Sequence, residues 1–362
     1  MTETYTTEAP PTEVATVDAP TTTAVTSVPA VTAGQVVQRS APLAYHRLAH
    51  LDASTARWWR PFATLGVAAG LVLALTVLGL TIALVVVFAS ESGSFPAALT
   101  PSAELADPRN PVDLLLGLGL LALLIPVVVL GLHWGGGQRG TVHSVTGRFR
   151  WGMALRAATV ALPVYALLHW TWIALAPPED LSLPPVDARL LAVVVVALLL
   201  TPLQCAAEEY AFRGLPMQLV GTWLRRPVVG VVLPVPLFVA GHGYDRVGQI
   251  DVAAFALCMG FLVWKSGGLE LAVVVHTANN LPLFLASPLS PSSLQQGAVD
   301  PWLLLVSLPP MLATTAALTV WVSRTHGVRL LEPVRGHGRA PRPAVGPGGA
   351  PLARPEASGA LL

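Results

Sequence analysis

Eight stretches of the chain are apolar over enough residues to be read as helices crossing a bilayer, near 63–90, 112–134, 152–176, 189–212, 228–242, 250–265, 269–288 and 301–323. Such a helix needs roughly 20 mostly apolar residues, because hydrocarbon offers its backbone amides no partner outside the segment. The fifth and sixth stretches fall short of that length. The polar breaks between stretches alternate in charge. Arg47, Arg57 and Arg60 precede the first stretch, and Glu91, Glu104 and Asp107 follow it. Arg139, Arg148 and Arg150 follow the second, Glu179, Asp180 and Asp187 the third, and Arg225 and Arg226 the fourth. Lys265 and Arg324 close the sixth and eighth. Basic residues in short loops stay on the cytoplasmic side, so the pattern predicts that both termini are cytoplasmic. Trp58, Trp59, Trp134, Trp151 and Trp321 fall at predicted span ends, the place of aromatic anchors at the headgroups.

Outside residues 57–323 the patterning stops. The first forty residues carry Glu3, Glu8, Glu13 and Asp18, no basic residue before Arg39, and no apolar periodicity. They read as part of a disordered tail over 1–45 with no cleavable leader. From Arg324 onward the chain is rich in Arg, Pro and Gly, with Arg335, Arg339, Arg342 and Arg354, and reads as a disordered basic tail over 324–362. The expected fold is therefore all-α, a polytopic transmembrane helix bundle of about eight spans between two tails.

Composition agrees. Of 362 residues 53% are hydrophobic and 11% charged, and the mean hydropathy is +0.63. The lipid bilayer is the implied partner. A net charge of +1 leaves no large cationic surface for phosphate neutralisation, which argues against nucleic acid. Cys205 and Cys258 lie in apolar runs, where cysteine packs as a small hydrophobe. Nothing in the sequence sets the oligomeric state.

Charge inside a membrane segment is costly, so the few ionisable residues there are functional candidates by default. They are Glu208, Glu209 and Arg213 in the fourth stretch, His242 ending the fifth, His276 in the seventh, and His133 and His169 earlier. Helical pitch puts Glu209 and Arg213 four residues apart on one face, within reach of an ion pair. Glu208 is rotated about 100° away and has no cation three or four residues off. It is expected to face a different groove, where a desolvated carboxylate suits general-base work. Phe238 and His242 share a four-residue spacing, as do His276 and Asn280. A lone membrane histidine is more often a helix–helix partner than a catalyst. Three segments that together supply a carboxylate, two imidazoles and an amide change that balance, because water attack on a peptide carbonyl needs a base and oxyanion donors.

At these residues the chain resembles the CPBP family of CAAX prenyl endopeptidases (type II), bacteriocin-processing and lysostaphin-resistance-like proteins. The family's Glu-Glu-x-x-x-Arg, Phe-x-x-x-His and His-x-x-x-Asn motifs occur in order as Glu208-Glu209 with Arg213, Phe238 with His242, and His276 with Asn280. The resemblance covers roughly 189–288. Gly260 and Ser266-Gly267-Gly268-Leu269 also resemble the family's approach to its last motif. It implies an intramembrane endopeptidase in a bacterial plasma membrane, acting on membrane-associated, prenylated or peptide substrates. Glu208 and His242 would activate water, His276 and Asn280 would stabilise the oxyanion, and Glu209, Arg213 and Phe238 would support them. Members have also been described as metalloproteases, and Glu208, His242 and His276 would then be the ligands of a divalent metal such as zinc. The metal-free version is the one favoured here. The competing readings are a proton-coupled transporter, weakened by the lack of an internal repeat, and a non-catalytic membrane scaffold. There is no His-Glu-x-x-His, presenilin-like Gly-x-Gly-Asp or rhomboid-like Gly-x-Ser-x-Gly. Counting along straight helices puts Glu208 near the inner end of its span and His242 near the outer end of the next. Pro216, Pro227, Pro234 and Pro236 are the expected means of bringing them together, through a fifth element that enters the bilayer only near Pro236.

Overall fold

The computed structural model describes residues 41–91, 100–138 and 140–338. The outer parts of both expected tails, and Arg139, lie outside the described residues. Among the described residues the fold is all-α apart from one short antiparallel pair, β1 (Leu43–Ala44) with β2 (Arg335–Gly336). A 3-10 turn over Tyr45–Leu51 leads to α1 (Arg60–Glu91), α2 (Pro111–Ala122), α3 (Leu124–Trp134) and α4 (Trp151–Leu175). Then come α5 (Ala188–Glu209), a π turn over Tyr210–Gly214, α6 (Leu215–Trp223), α7 (Pro227–Val232) and α8 (Val235–Ala240). The bundle closes with α9 (Arg246–Ser266), α10 (Glu270–Ala286) and α11 (Leu304–His326).

Helix starts follow capping chemistry. Asn110 accepts from Val112 N with Pro111 at the first turn, Asp187 accepts from Leu190 N, and Asp245 accepts from Val247 N and Gly248 N. Gly267 ends α9 in the left-handed conformation, φ 70°, which a residue with a Cβ resists.

Two loop clusters define the ends of the bundle. At one, Val145 N donates to Gly267 O (2.7 Å), Leu269 N to His143 O (3.0 Å), Val334 N to Lys265 O (3.0 Å) and Gly338 N to Val145 O (2.9 Å). At the other, Ser182 N donates to Leu289 O (2.8 Å), Asp245 N to Gly297 O (2.9 Å) and Arg109 Nε to Pro288 O (2.8 Å). Hydrogen bonds to Ser290 and Ser292 at this second end hold the Asp180 carboxyl below the usual aspartate range. Loops joined this way place successive helices in alternating directions, so the chain runs the length of the bundle eight times. Among the described residues, six helical runs are long and apolar enough to cross a membrane. The other two passages are α7–α8, spanning Pro227–Ala240, and the 17-residue α10.

The six long runs are apolar on their outer faces; α1 exposes Leu73, Leu80, Leu84 and Phe88, each more than half accessible. That is the surface of an integral membrane protein, whose lipid-facing residues need not be polar. The least lipid-exposed element is α10, in which residues Glu270 through Ala278 are all buried against α4, α5 and α9. Its start is tied to α4 by Arg150, whose Nε and Nη2 reach Glu270 Oε1 at 2.8 Å and Oε2 at 2.6 Å. This bidentate pair fixes the depth at which α10 carries His276 and Asn280.

Three expectations change. The fourth span, expected at 189–212, continues as a helical run of 36 residues, Ala188–Trp223. At about 1.5 Å per residue it is far longer than the hydrocarbon core, and Glu208 sits near its midpoint, not at its inner end. The fifth is not one element entering at Pro236 but two short helices broken before Pro234, and it packs along α6, where Gly230 approaches Met217. Both differences place Glu208 and His242 at compatible depths. The tails are also shorter than expected. Leu43 and Ala44 pair with Arg335 and Gly336, Tyr45 is fully buried, and residues 328–338 fold back to cap α9, so order extends outward past both expected boundaries, 45 and 324.

Candidate active site

The Glu-Glu pair forms the last two residues of α5, immediately before the π turn. A π turn inserts a wider loop of backbone and is common at functional sites. Here it is accommodated by Gly214, where a Cβ would lie 3.2–3.3 Å from Val142, Leu269 and Tyr45. Glu209 faces inward and is fully buried, with Arg213 Nη1 at 3.1 Å from its Oε1. The Arg213 guanidinium also lies 4.1 Å from the centre of the Phe238 ring, a cation–π contact. Phe238 also meets the His242 ring at 4.8 Å and the Phe212 ring at 5.2 Å, so it stands between the Arg213 guanidinium and His242.

Glu208 points elsewhere. Its side chain is 13% exposed and lines a cavity of about 920 Å³ together with Phe238, His242, His276 and Asn280. Gln204, one turn earlier on α5, donates from Nε2 to Glu208 Oε1 at 2.6 Å. His276 joins the two carboxylates: its Nδ1 is 2.8 Å from Glu209 Oε1 and its Nε2 is 3.5 Å from Glu208 Oε2. A carboxylate paired with Arg213 can only accept, so His276 Nδ1 carries the hydrogen in that contact. The His276 ring is further fixed by the edge of Phe255, 4.8 Å between centres. His242 Nδ1 lies 2.8 Å from the Phe238 carbonyl, also an acceptor, which leaves Nε2 as the ring's free nitrogen. Asn280 Oδ1 accepts from Asn279 Nδ2 at 3.1 Å.

The structure thus brings Glu208, His242, His276 and Asn280 to one cavity, and sets Glu209 and Arg213 behind it as a buried ion pair. His169, noted in the sequence for its place in an apolar segment, lines the same cavity from α4; His133, on α3, does not line it. Reasoning from the sequence missed Gln204, Phe255 and Asn279. Gln204 carried a readable signal, since it stands four residues before Glu208, the same spacing that singled out Arg213. Phe255 carried none; its place is set by the packing of α9 on α10.

The zinc set does not form. Among the described residues no three His, Cys, Asp or Glu side chains are placed to hold a metal ion. Cys205 is fully buried and Cys258 partly so, both as free thiols.

A family model described as Rce1-like, type II CAAX prenyl endopeptidase Rce1-like, matches residues 187–282. All three motifs fall within that span, which bears out the family resemblance carried by their spacing. The uncharacterized protein YyaK of Bacillus subtilis (strain 168) is 30% identical over 113 residues, 29% of this chain and 38% of that protein. The chain therefore spans well under half the length of the curated relative it matches. No solved structure matches.

Proposed function

We propose that the protein is an intramembrane endopeptidase in which Glu208 is the general base for attack of water on a peptide carbonyl. The observation that carries this reading is the division of labour in the Glu-Glu pair: Glu209 is buried and neutralised by Arg213, whereas Glu208 opens onto a cavity shared with His242, His276 and Asn280.

The steps follow from that geometry. Glu208 takes a proton from a water that the free Nε2 of His242 helps to orient. The hydroxide adds to the carbonyl carbon, and the carbonyl oxygen becomes an oxyanion. The Asn280 amide donates a hydrogen bond to it, and so does His276 from Nε2 as an imidazolium whose Nδ1–H is held by Glu209. On collapse the C–N bond breaks and Glu208 returns its proton to the leaving amine. Arg213 holds Glu209, which holds His276, and Phe238 packs against His242 from the cavity wall. Because the donor set does not close around a metal, no step runs through one. The substrates of this reading are membrane-associated, prenylated or small peptides, in the plasma membrane of a bacterium whose cytoplasm holds both termini.

The test is cleavage of internally quenched peptides by purified protein, with folding monitored in detergent. His242→Ala and His276→Ala abolish cleavage and leave the protein folded, and exhaustive chelation leaves the wild type active. Gradient-driven solute uptake into liposomes without proteolysis would replace this reading by the carrier.

A further inference from the structure

The two ends of the bundle differ in charge, and the cavity belongs to only one of them. The end built from 143–150, 224–226, 265–269 and 324–338 carries Arg148, Arg150, Arg225, Arg226, Lys265, Arg324, Arg329 and Arg335, joined by Arg47, Arg57 and Arg60. Its acids are few, and Glu270 is consumed by Arg150. The opposite end carries Glu104, Asp107, Glu179, Asp180, Asp187, Asp245 and Asp300 against Arg109, Arg189 and Arg246. Short loops rich in Arg and Lys remain in the cytoplasm during insertion, which makes the acidic end the external one.

From the acidic end the cavity wall runs inward: Asp107 and Leu105, Tyr244, Gln296 and Leu303 line it near the loops, and Glu208 and His276 line its depth. Among the described residues, none from the basic-end loops lines it. Below Glu208 the bundle is closed by packed residues, including fully buried Met217, Leu269 and Leu271. At about 920 Å³ the cavity holds a short extended segment, not a folded domain. Its wall is apolar at Leu118, Leu121, Leu168 and Phe284, and acidic at Asp107, 3.6 Å from Arg189, and at Asp251, which accepts from Ser307.

We infer that substrate reaches this site from the non-cytoplasmic side: a short extended segment of an exported or membrane-anchored polypeptide, apolar and flanked by basic residues, rather than a carboxyl terminus presented by the cytoplasm. The inference rests on the proteolytic reading for its chemistry, but its geometry stands apart from it.

Two arms test it separately. In the first, Ala298→Cys at the acidic end and Thr325→Cys at the basic end, both exposed positions, are labelled with a membrane-impermeant maleimide in intact bacteria. The parent chain, with Cys205 and Cys258, is the blank. Ala298→Cys labels at least tenfold more than Thr325→Cys, and permeabilisation makes them equal; the reverse ranking overturns the inference whatever the enzyme cleaves. In the second, the full chain is reconstituted in liposomes with its orientation read by the same labels. An internally quenched peptide with an apolar centre and basic flanks is supplied from either side. Cleavage occurs only from the Ala298 side. Cleavage only from the Thr325 side overturns the side of delivery, and labelling as expected with no cleavage from either side overturns the proteolytic reading on which the substrate depends.

Discussion

Replacing Arg213 by leucine isolates the ion pair that separates the roles of the two glutamates. Arg213 is 3% exposed and Glu209 not at all, and they meet at 3.1 Å. Removing one member of a buried pair leaves the other charge without compensation and costs about 3–5 kcal/mol. The cation–π contact with Phe238 at 4.1 Å is lost as well. His276 Nδ1 remains at 2.8 Å from Glu209 and takes up part of the charge, which places the expected loss at the lower end, about 3 kcal/mol. The assay is reversible unfolding in mixed detergent micelles, run as a double-mutant cycle with Glu209→Gln. Neutralising Glu209 in the Arg213→Leu background removes the stranded charge, so the double variant is more stable than Arg213→Leu alone, with a coupling of about 1–3 kcal/mol. Strict additivity of the two substitutions, or an Arg213→Leu loss below about 1 kcal/mol, would refute the buried-pair reasoning.

Two further outcomes follow from single contacts. Gln204→Leu removes the 2.6 Å hydrogen bond to Glu208; a hydrogen bond to a charged group contributes about 1.5–3 kcal/mol, so kcat for peptide cleavage falls by about tenfold or more with KM little changed, and an unaltered kcat would remove Gln204 from the site. Burial, opposed by the hydrogen bond to Arg225 O and reinforced by nearby Arg47 and Arg335, holds His46 below the usual histidine pKa, and its Nδ1 is buried without a partner. With the folded value below the unfolded one, the stability His46 contributes is complete at high pH and is lost as pH falls through about 6.5 and below. Amide exchange over 45–51, corrected for its intrinsic rate, therefore quickens between pH 8 and pH 5.5 in the wild type and not in His46→Gln; protection that does not change with pH would contradict this.

Much of the fold was legible because membrane burial writes itself as run length. All eight passages were readable from apolar stretches. What could not be read was how far helices continue through polar residues. The run past Glu208 to Trp223 includes Arg213 and Gln218, which look like an ending until Arg213 is seen to be neutralised by Glu209 and Gln218 to reach Tyr45 O. The same holds for Tyr45–Leu51, whose seven residues show no periodicity because their burial depends on a fit against α6, where Gly221 lets His46 approach. In the site, four-residue spacings found the residues that share one helix face. Contacts between helices, such as His276 with Glu209 and Phe255 with His276, have no signature in a single sequence.

The central claim is that Glu208, and not Glu209, takes the proton from water, and the rate of peptide cleavage by purified Glu208→Gln tests it most directly. Loss of a positioned general base predicts a fall of about 10²–10⁴-fold, with detergent unfolding unchanged because Glu208 faces the cavity and makes no buried ion pair with Arg213. A Glu208→Gln protein that cleaves within a few-fold of the wild-type rate would contradict the account.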